Sequence, residues 1–202
     1  MQLYYTPGAC SLAVHIALRE AGQAFETVKV SLPAHTLPDG SDFHVINPRG
    51  YVPVLALDDG SRHTEVAALL QYVGDLDASG GLLPAHGSLA RLRVLEWLAF
   101  IASELHKGFS WLWARDAAES TRQACRDKLA RRFEEIEAVL GKRDHLAGPG
   151  FTVADAYAFT VINWANFLNI SLAAYPRLQA YLARVAARPA VQDALRAEGL
   201  LK

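Results

Sequence analysis

The sequence has little cysteine, almost no net charge and no long apolar run, and each shortage excludes a class of protein. Its 202 residues include two cysteines, Cys10 and Cys125. A secreted disulfide framework needs more, so we expect a reducing, cytoplasmic location. The formal net charge of −1 argues against a nucleic-acid partner, since such proteins carry a basic excess. No apolar stretch is long enough to span a membrane, and no basic segment precedes an apolar one near the N-terminus. We therefore expect neither membrane association nor a signal peptide.

Several catalytic motifs are also missing. Ala13 stands where a Cys-x-x-Cys pair would place its second cysteine, so the chain has no resolving thiol of its own. The sequence contains no metal-ligand spacing, phosphate-binding loop, dinucleotide fingerprint or nucleophile elbow. We therefore expect no metal cofactor.

The balance of acidic and basic residues changes about one third of the way along the chain. Residues 1–80 contain four Lys or Arg and nine Asp or Glu, whereas residues 81–202 contain sixteen and twelve. A stretch rich in Gly, Ser and Pro at 78–84 lies at this change and is typical of a hinge. The sequence predicts one domain at 1–80, a linker at 81–86 and a second domain at 87–202.

Strands and helices alternate in the first part. An aromatic run at 3–6 stops at a Pro-Gly turn, a helical pattern follows at 10–22, and an alternating strand pattern occupies 25–30. These three segments predict a βαβ unit. Two strand-like runs around the turn at 58–60 and a helical pattern at 64–76 predict a ββα unit. The order βαβ-ββα is that of a thioredoxin-like α/β domain.

The second part is predicted to be an all-α bundle, since no strand pattern occurs after residue 85. One long helix should carry an apolar stripe, which comprises Leu98, Ile101, Ala102, Leu105, Phe109 and Leu112. A second face of the same helix is small and polar, as is typical of a groove wall, and comprises Ala99, Ser103, His106 and Ser110. Thr152 and Asp155 have the spacing of a capping box at the start of a central apolar helix.

Cys10 is the strongest candidate for chemistry. It follows a strand and a turn, which places it in the first turn of a helix. There, unpaired N–H groups and the helix dipole favour a thiolate and predict a pKa below the usual value of about 8.5. A buried structural cysteine is the alternative. Cys125, on a charged helix, is expected to be incidental.

Three further sites permit a functional or a structural interpretation. The helix that starts near Glu65 and Val66 can bind a ligand carboxylate with its first N–H groups, and the Glu65 carboxylate can bind a ligand ammonium. The alternative is that Glu65 is a simple helix cap without a ligand. The Val52–Pro53 bond is either cis, exposing backbone to a peptide ligand, or trans like most X–Pro bonds. His106 is either catalytic or structural.

Six motifs resemble those of bacterial beta-class glutathione S-transferases, and they run from one end of the chain to the other. They are Tyr5-Thr6-Pro7-Gly8-Ala9-Cys10-Ser11, Asn47-Pro48-Arg49-Gly50-Tyr51-Val52-Pro53, Thr64-Glu65, Glu104-Leu105-His106-Lys107-Gly108-Phe109, Phe151-Thr152-Val153-Ala154-Asp155-Ala156-Tyr157 and Arg188-Pro189-Ala190-Val191. The resemblance implies a thioredoxin-like domain, an all-α domain, a two-fold homodimer and glutathione as cosubstrate.

The resemblance also implies roles for individual residues. Cys10 and His106 would be catalytic: Cys10 would lie against the glutathione sulfur, with which it can form a mixed disulfide, and His106 would hydrogen-bond near that sulfur. Val52, held by a cis Pro53, would pair with the cysteinyl backbone. Glu65 and the N–H of Val66 would hold the γ-glutamyl group. The remaining implied glutathione contacts are Tyr5, Ser11, His35, Ala99, Ser103, Glu104 and Leu105. Asp155 would be a structural cap.

Three positions depart from the family pattern. His35 stands where a lysine commonly reaches the glycine carboxylate, Val66 where a small residue is usual, and Ala99 where an asparagine is common. Each lost polar contact costs about 1–3 kcal/mol. Together the losses would move a micromolar glutathione site toward millimolar.

These observations lead to one expected function and two alternatives. The expected function is detoxifying transfer of the glutathione thiolate to a small hydrophobic electrophile, in a groove lined by Ser103, His106, Ser110 and Trp113. The first alternative is a glutathione-dependent thiol–disulfide reductase or peroxidase that works through a Cys10 mixed disulfide. The second is a non-catalytic binder of apolar ligands.

Overall fold

The first part of the chain forms a four-stranded sheet flanked by helices. The computed structural model describes residues 1–201. In chain order the elements are β1 (Gln2–Tyr5), α1 (Ser11–Glu20), β2 (Glu26–Lys29), a 3₁₀ turn (Phe43–Val45), β3 (Val54–Ala56), β4 (Arg62–His63) and α2 (Val66–Asp75).

The sheet has the strand order β2-β1-β3-β4. Strand β1 runs parallel to β2 and antiparallel to β3, and β3 runs antiparallel to β4. Side chains alternate along a strand, so Leu3 and Tyr5 enter the main core while Tyr4 packs in a smaller cluster with Phe43 and Val54. The predicted βαβ-ββα order is confirmed.

The second part is helical, as predicted. Its elements are α3 (Leu89–Phe100), a π-helical turn (Ile101–His106), α4 (Lys107–Trp113), α5 (Glu119–Leu140), α6 (Val153–Ile162), α7 (Trp164–Phe167), α8 (Pro176–Ala186) and α9 (Pro189–Ala197). The predicted apolar stripe along α3, the π turn and α4 is buried, except for the half-buried Ala102. No helix within residues 1–201 combines the length and apolarity needed to cross a membrane.

Helix α6 lies at the centre of the bundle, and all its residues are buried. It begins with the predicted capping box. Asp155 accepts hydrogen bonds at 2.9 Å from the N–H and hydroxyl of Thr152 and from the N–H of Leu146, and one at 3.0 Å from the hydroxyl of Tyr181. Asp155 therefore satisfies the helix start and ties the preceding loop and α8 to it.

The two parts share one hydrophobic core, in which α1 packs against α6 and α9. Two forked ion pairs, each with one largely buried partner, also join them. Arg91 binds Asp75 at 2.6 and 2.8 Å, and Arg188 binds Glu20 at 2.6 and 2.8 Å. Bidentate pairs of this kind set both distance and orientation, so the C-terminal ends of α1 and α2 are held against the helical bundle.

Candidate active site

Cys10 lies immediately before α1, as the sequence predicts. Its backbone is helical (φ −60°, ψ −19°), and α1 starts at Ser11. The side chain is half-buried, and Sγ lies 3.4 Å from the carbonyl oxygen of Val52, to which the thiol donates. The thiol therefore lies between the start of α1 and the segment before β3.

The predicted lowering of the Cys10 pKa is wrong. Burial raises the pKa of Cys10 to about 12. The N–H groups of Cys10 and Ser11 and the charge of Lys107 act in the opposite direction, but desolvation outweighs them. The bond to Val52 adds to this effect, because only the protonated thiol can donate it. In the free protein Cys10 is therefore a neutral thiol at pH 7.

Alkylation of Cys10 should reflect this raised pKa. In a Cys125→Ser background, the rate of iodoacetamide modification should rise about tenfold per pH unit from pH 7 to 10 without a plateau, because the thiolate fraction grows tenfold per unit below the pKa. Mass spectrometry of time points would give the rates, with free N-acetylcysteine as the reference. A plateau below pH 8 would contradict the raised pKa.

His106 is the last residue of the π turn, and its ring is held from two sides. Nδ1 lies 2.7 Å from the hydroxyl oxygen of Tyr157, and the ring packs edge-on against Trp164 with 4.9 Å between centroids. Burial, followed by the nearby charge of Lys107, lowers the pKa of His106 to about 4. The imidazole is therefore neutral at pH 7. With Nδ1 engaged by a phenol that donates, Nε2 would carry the proton.

Tyr157 shares this environment with Cys10. Burial raises the pKa of Tyr157, and the negative charges that Cys10 and Glu65 can carry raise it further. The phenol is therefore neutral and able to donate. Cys10, His106 and Tyr157 together form a group of uncharged donors.

The π turn is a feature that helical periodicity did not predict. A π turn widens the helix by one residue, and here it covers Ser103 to His106, four of the predicted site positions. Ser103 is exposed, and its hydroxyl donates to the carbonyl of Ala99 at 2.9 Å. Ala99 is also exposed.

Glu65 adopts a backbone conformation that is rare for a residue with a side chain. Its φ is +69° and ψ 109°, directly before α2, and its side chain does not cap the helix. Glu65 therefore occupies the N-cap position of the simple-cap interpretation without making a side-chain capping hydrogen bond. Instead the carboxylate accepts from the hydroxyl of Tyr51 at 2.9 Å and from Arg49 at 3.3 Å. Strained conformations cluster at functional sites, and the first N–H groups of α2 have no partners within the helix.

The Val52–Pro53 bond is cis, as the family resemblance implies. Val52 is buried in the small cluster beside β3, and its carbonyl faces the Cys10 thiol. Val66 is also buried, at the first turn of α2.

At four of the positions where the resemblance implies glutathione contacts, the side chain is engaged within the protein. Tyr5 packs edge-on against His15, and the hydroxyl of the buried Ser11 lies 3.3 Å from the N–H and carbonyl of Thr6. The other two lie on the π turn. Glu104 pairs with Lys128 and Arg132 on α5, and Leu105 is in the core. These four side chains hold the elements around Cys10 in place.

The His35 side chain hydrogen-bonds to the turn that precedes β3. It has a left-handed backbone (φ +51°), and Nδ1 lies 3.0 Å from the carbonyl oxygen of Gly50. The ring lies 4.6 Å from that of His44, which bonds Asp42 at 2.8 Å. Gly50 has a left-handed backbone (φ +69°), which favours glycine, and a side chain there would also come within 2.7 Å of the His44 ring.

Sequence reasoning missed several residues that position the Cys10 loop. The N–H of Gly8 donates to Glu198 at 2.9 Å, and the indole N–H of Trp164 donates to the carbonyl of Gly8 at 2.8 Å. Glu198 also binds His15 at 2.9 Å, with both side chains fully buried. These partners are more than 150 residues apart along the chain, and no local pattern indicates such contacts. Within residues 1–201, no three His, Cys, Asp or Glu side chains are grouped so as to hold a metal ion.

Comparison with known proteins identifies the family. Residues 8–76 match the model of the glutathione S-transferase N-terminal domain, and residues 97–189 match that of the C-terminal domain. The glutathione S-transferase GstA of Escherichia coli O157:H7 is 44% identical over 200 residues, which cover 99% of this chain and all of that protein.

Two solved structures have the same fold throughout. A sphingomonad glutathione S-transferase complexed with glutathione is 46% identical, with a TM-score of 0.95 over 99% of this chain and 100% of that one. A bacterial beta-class glutathione S-transferase of Sphingomonas chungbukensis is 42% identical, with a TM-score of 0.95 over 100% of both chains. With the thioredoxin-like sheet, the helical bundle and Cys10 at the start of α1, these matches show that the chain belongs to the glutathione S-transferase family and resembles its bacterial beta class.

Proposed function

We propose that this glutathione transferase binds its cosubstrate beside Cys10 and adds the glutathione sulfur to small hydrophobic electrophiles. The observation that carries the proposal is the group of neutral donors at the start of α1. A half-buried thiol with a raised pKa and a neutral imidazole can both donate to an anionic sulfur, and Lys107 adds positive charge. Such preorganised donors stabilise a thiolate in a half-buried site.

Glutathione would be held by the backbone and charges around this group. The backbone of Val52 would pair with the cysteinyl residue, and Glu65 would bind the γ-glutamyl ammonium, with Tyr51 and Arg49 orienting its carboxylate. The N–H of Val66 would bind the γ-glutamyl carboxylate. His35 would approach the glycine end. The sphingomonad relative, which was solved in complex with glutathione, supports glutathione as the ligand.

The chemical step would begin with loss of the glutathione thiol proton to solvent. With the Val52 carbonyl paired to the cysteinyl residue, the S–H of Cys10 would turn from that carbonyl to the glutathione sulfur. The thiolate would then accept hydrogen bonds from this S–H and from Nε2–H of His106. Its sulfur would then attack the electrophile and form a C–S bond, while the leaving group departs with the bonding electrons or, in an addition, the product takes a proton from solvent. Cys10 is not oxidised and forms no covalent bond in this step.

Replacing Cys10 separates this mechanism from a mixed-disulfide mechanism. Cys10→Ser keeps a donor and should retain conjugation of 1-chloro-2,4-dinitrobenzene within about threefold. Cys10→Ala should lose about tenfold in kcat/KM, since one hydrogen bond to a charged group is worth about 1.5 kcal/mol. A mixed-disulfide enzyme would lose all turnover in both variants.

Glutathione binding by the wild-type protein tests the alternative of a non-catalytic binder. Calorimetric titration of the reduced wild-type protein with glutathione should give a Kd below about 1 mM. This value is expected although His35, Val66 and Ala99 depart from the residues usual in the family. Absence of both binding and conjugation would contradict the proposed function.

The fold also supports proposals about organisation. We assign glutathione binding to a domain at 1–80 and the electrophile groove to a domain at 87–202, joined by a linker at 81–86, and we place the protein in the cytoplasm. A homodimer is favoured by exposed apolar side chains on α2 and α3. Tyr72 is 41% exposed, Leu89 73% and Leu92 52%, and the Asp75–Arg91 pair holds these helices together. Exposed apolar groups of this kind mark interaction surfaces.

Leu92→Glu should therefore dissociate the dimer. A buried, unpaired carboxylate is costly at an interface, and we expect the dimer dissociation constant to rise at least 100-fold, as measured by sedimentation velocity over a concentration series. Leu201→Glu is the matched control, because Leu201 is also an exposed apolar residue but lies on neither α2 nor α3. This variant should sediment like the wild type. A wild-type protein that is monomeric at all concentrations would contradict the proposed dimer.

A further inference from the structure

Helix α4 ends at Trp113 without the glycine that often terminates a helix. The next residue, Ala114, is extended (φ −72°, ψ 125°), and an irregular segment, 114–118, leads to the start of α5 at Glu119. Three of the five residues in this segment are exposed and the other two are half-buried. Because its side chains do not anchor the segment in the core, the carbonyl groups at the end of α4 need another partner.

Arg122, one turn into α5, supplies that partner. Its guanidinium donates to four carbonyl oxygens, those of Leu112 at 3.2 Å, Ala114 at 2.6 Å, Arg115 at 3.3 Å and Ala117 at 3.2 Å. Within residues 1–201, no other side chain donates to a carbonyl of this segment. The planar fork of arginine can bind several acceptors at once, whereas the compact ammonium of lysine cannot span them. The end of α4 is therefore held by one side chain.

Two of these carbonyls flank Trp113. Leu112 precedes it and Ala114 follows it, so one guanidinium fixes the backbone on both sides of this tryptophan. The Trp113 side chain is 49% exposed, and its ring packs edge-on against Trp164, with 6.1 Å between centroids. Trp164 in turn lies 4.9 Å from the ring of His106. The exposed indole beside the active site therefore depends for its position on the backbone that Arg122 holds.

We propose that Arg122 is a positioning residue for the electrophile groove and holds Trp113 where its indole packs against a bound aromatic electrophile. This assignment rests on the proposed transferase function. Arg122 acts through Trp113 and makes no contact with either substrate. A displaced indole would weaken binding of the electrophile equally before and during the reaction, so the KM for the electrophile would rise while kcat stays unchanged.

Steady-state kinetics of the full-length protein with 1-chloro-2,4-dinitrobenzene and glutathione test the assignment. Arg122→Ala should raise the KM for the electrophile at least about fivefold, with kcat and the KM for glutathione within about twofold of the wild type. Arg122→Lys should show most of the same increase, because lysine cannot bind four carbonyls at once, and it carries the test if Arg122→Ala does not fold. Arg126→Ala is the matched control, since Arg126 lies on the same helix but binds Gln123 and Glu119 instead, and it should behave like the wild type. A general loss of structure would instead lower kcat and leave the KM unchanged.

A double-mutant cycle tests whether Arg122 acts through the indole. Trp113→Ala alone should raise the KM for the electrophile about tenfold, and adding Arg122→Ala should raise it by less than about twofold more, because the group that Arg122 positions is already gone. A wild-type KM in the folded Arg122 variants, or full and independent effects of the two substitutions, would overturn the assignment and leave the transferase function intact. Absence of conjugation by the wild type would contradict the proposed function, and the assignment with it.

Discussion

Asp155→Ala is expected to lower the free energy of unfolding by about 3–5 kcal/mol. The carboxylate is completely buried and accepts four hydrogen bonds from Leu146, Thr152 and Tyr181. Removing it leaves those buried donors without acceptors, and an unsatisfied buried group costs about 1–3 kcal/mol. The losses are not additive, because the loop before α6 can relax. Urea unfolding followed by circular dichroism at 222 nm would measure the change.

Thr152→Ser is the control for this experiment. It keeps the hydroxyl that Asp155 accepts and the helix-capping geometry, so its free energy of unfolding should lie within about 1 kcal/mol of the wild type. A loss below 1 kcal/mol for Asp155→Ala would show that the capping box contributes little to stability.

His106→Ala is expected to reduce kcat/KM for conjugation about 100-fold. The imidazole is neutral, since burial lowers its pKa to about 4, and in the proposed mechanism its Nε2–H stabilises the glutathione thiolate. Losing one preorganised donor to a developing anion typically costs a factor of 10²–10³. Initial rates with 1-chloro-2,4-dinitrobenzene from pH 5 to 9 would measure it. A variant within threefold of the wild type would exclude a catalytic role.

Tyr157→Phe tests whether the tyrosine positions His106. Without the phenol, Nδ1 loses the partner at 2.7 Å that holds the proton on Nε2. We expect kcat to fall about tenfold with KM for glutathione nearly unchanged, because orientation of the donor rather than binding is lost. A merely structural role would instead lower stability and leave kcat per folded molecule intact.

The lowered pKa of His106 fixes how its contribution to folding stability changes with pH. Its pKa in the folded protein, about 4, lies below the ordinary value of 6.5. As the pH falls below 6.5, the unfolded chain takes up a proton before the folded one does. The contribution of His106 to stability is therefore present above pH 6.5 and is lost as the pH falls toward 4. The pH–rate profile should show no His106 transition between pH 6 and 7.

Local patterns were sufficient for the fold class. Alternation along 25–30 and the Pro-Gly and Asp-Gly turns predicted the βαβ-ββα order, and the 3.6-residue repeat predicted the long helix through Leu105 and Phe109. These patterns succeed because a strand or a helix buries one face, and the period of that face is visible in the sequence. The position of Cys10 at the start of α1 and the Thr152–Asp155 capping box have the same local origin.

The family resemblance supplied what local patterns could not. It implied the cis bond at Pro53, for which the residues alone favoured the opposite answer. It also implied glutathione contacts at Ser11 and Glu104. In the folded chain, the Ser11 hydroxyl bonds Thr6, and the Glu104 carboxylate pairs with Lys128 and Arg132.

By itself, the sequence determined the order of the elements, the helix starts and the placement of a cysteine and a histidine where chemistry is possible. Only the tertiary structure decided their protonation and surroundings. The Cys10 thiol is neutral because packing removes water from it, an effect larger than the local helix N-terminus that the sequence displays. Tyr157 meets His106 across 51 residues, and Trp164 meets Gly8 across 156. Desolvation and long-range hydrogen bonds depend on how distant segments pack, and no local pattern contains that information.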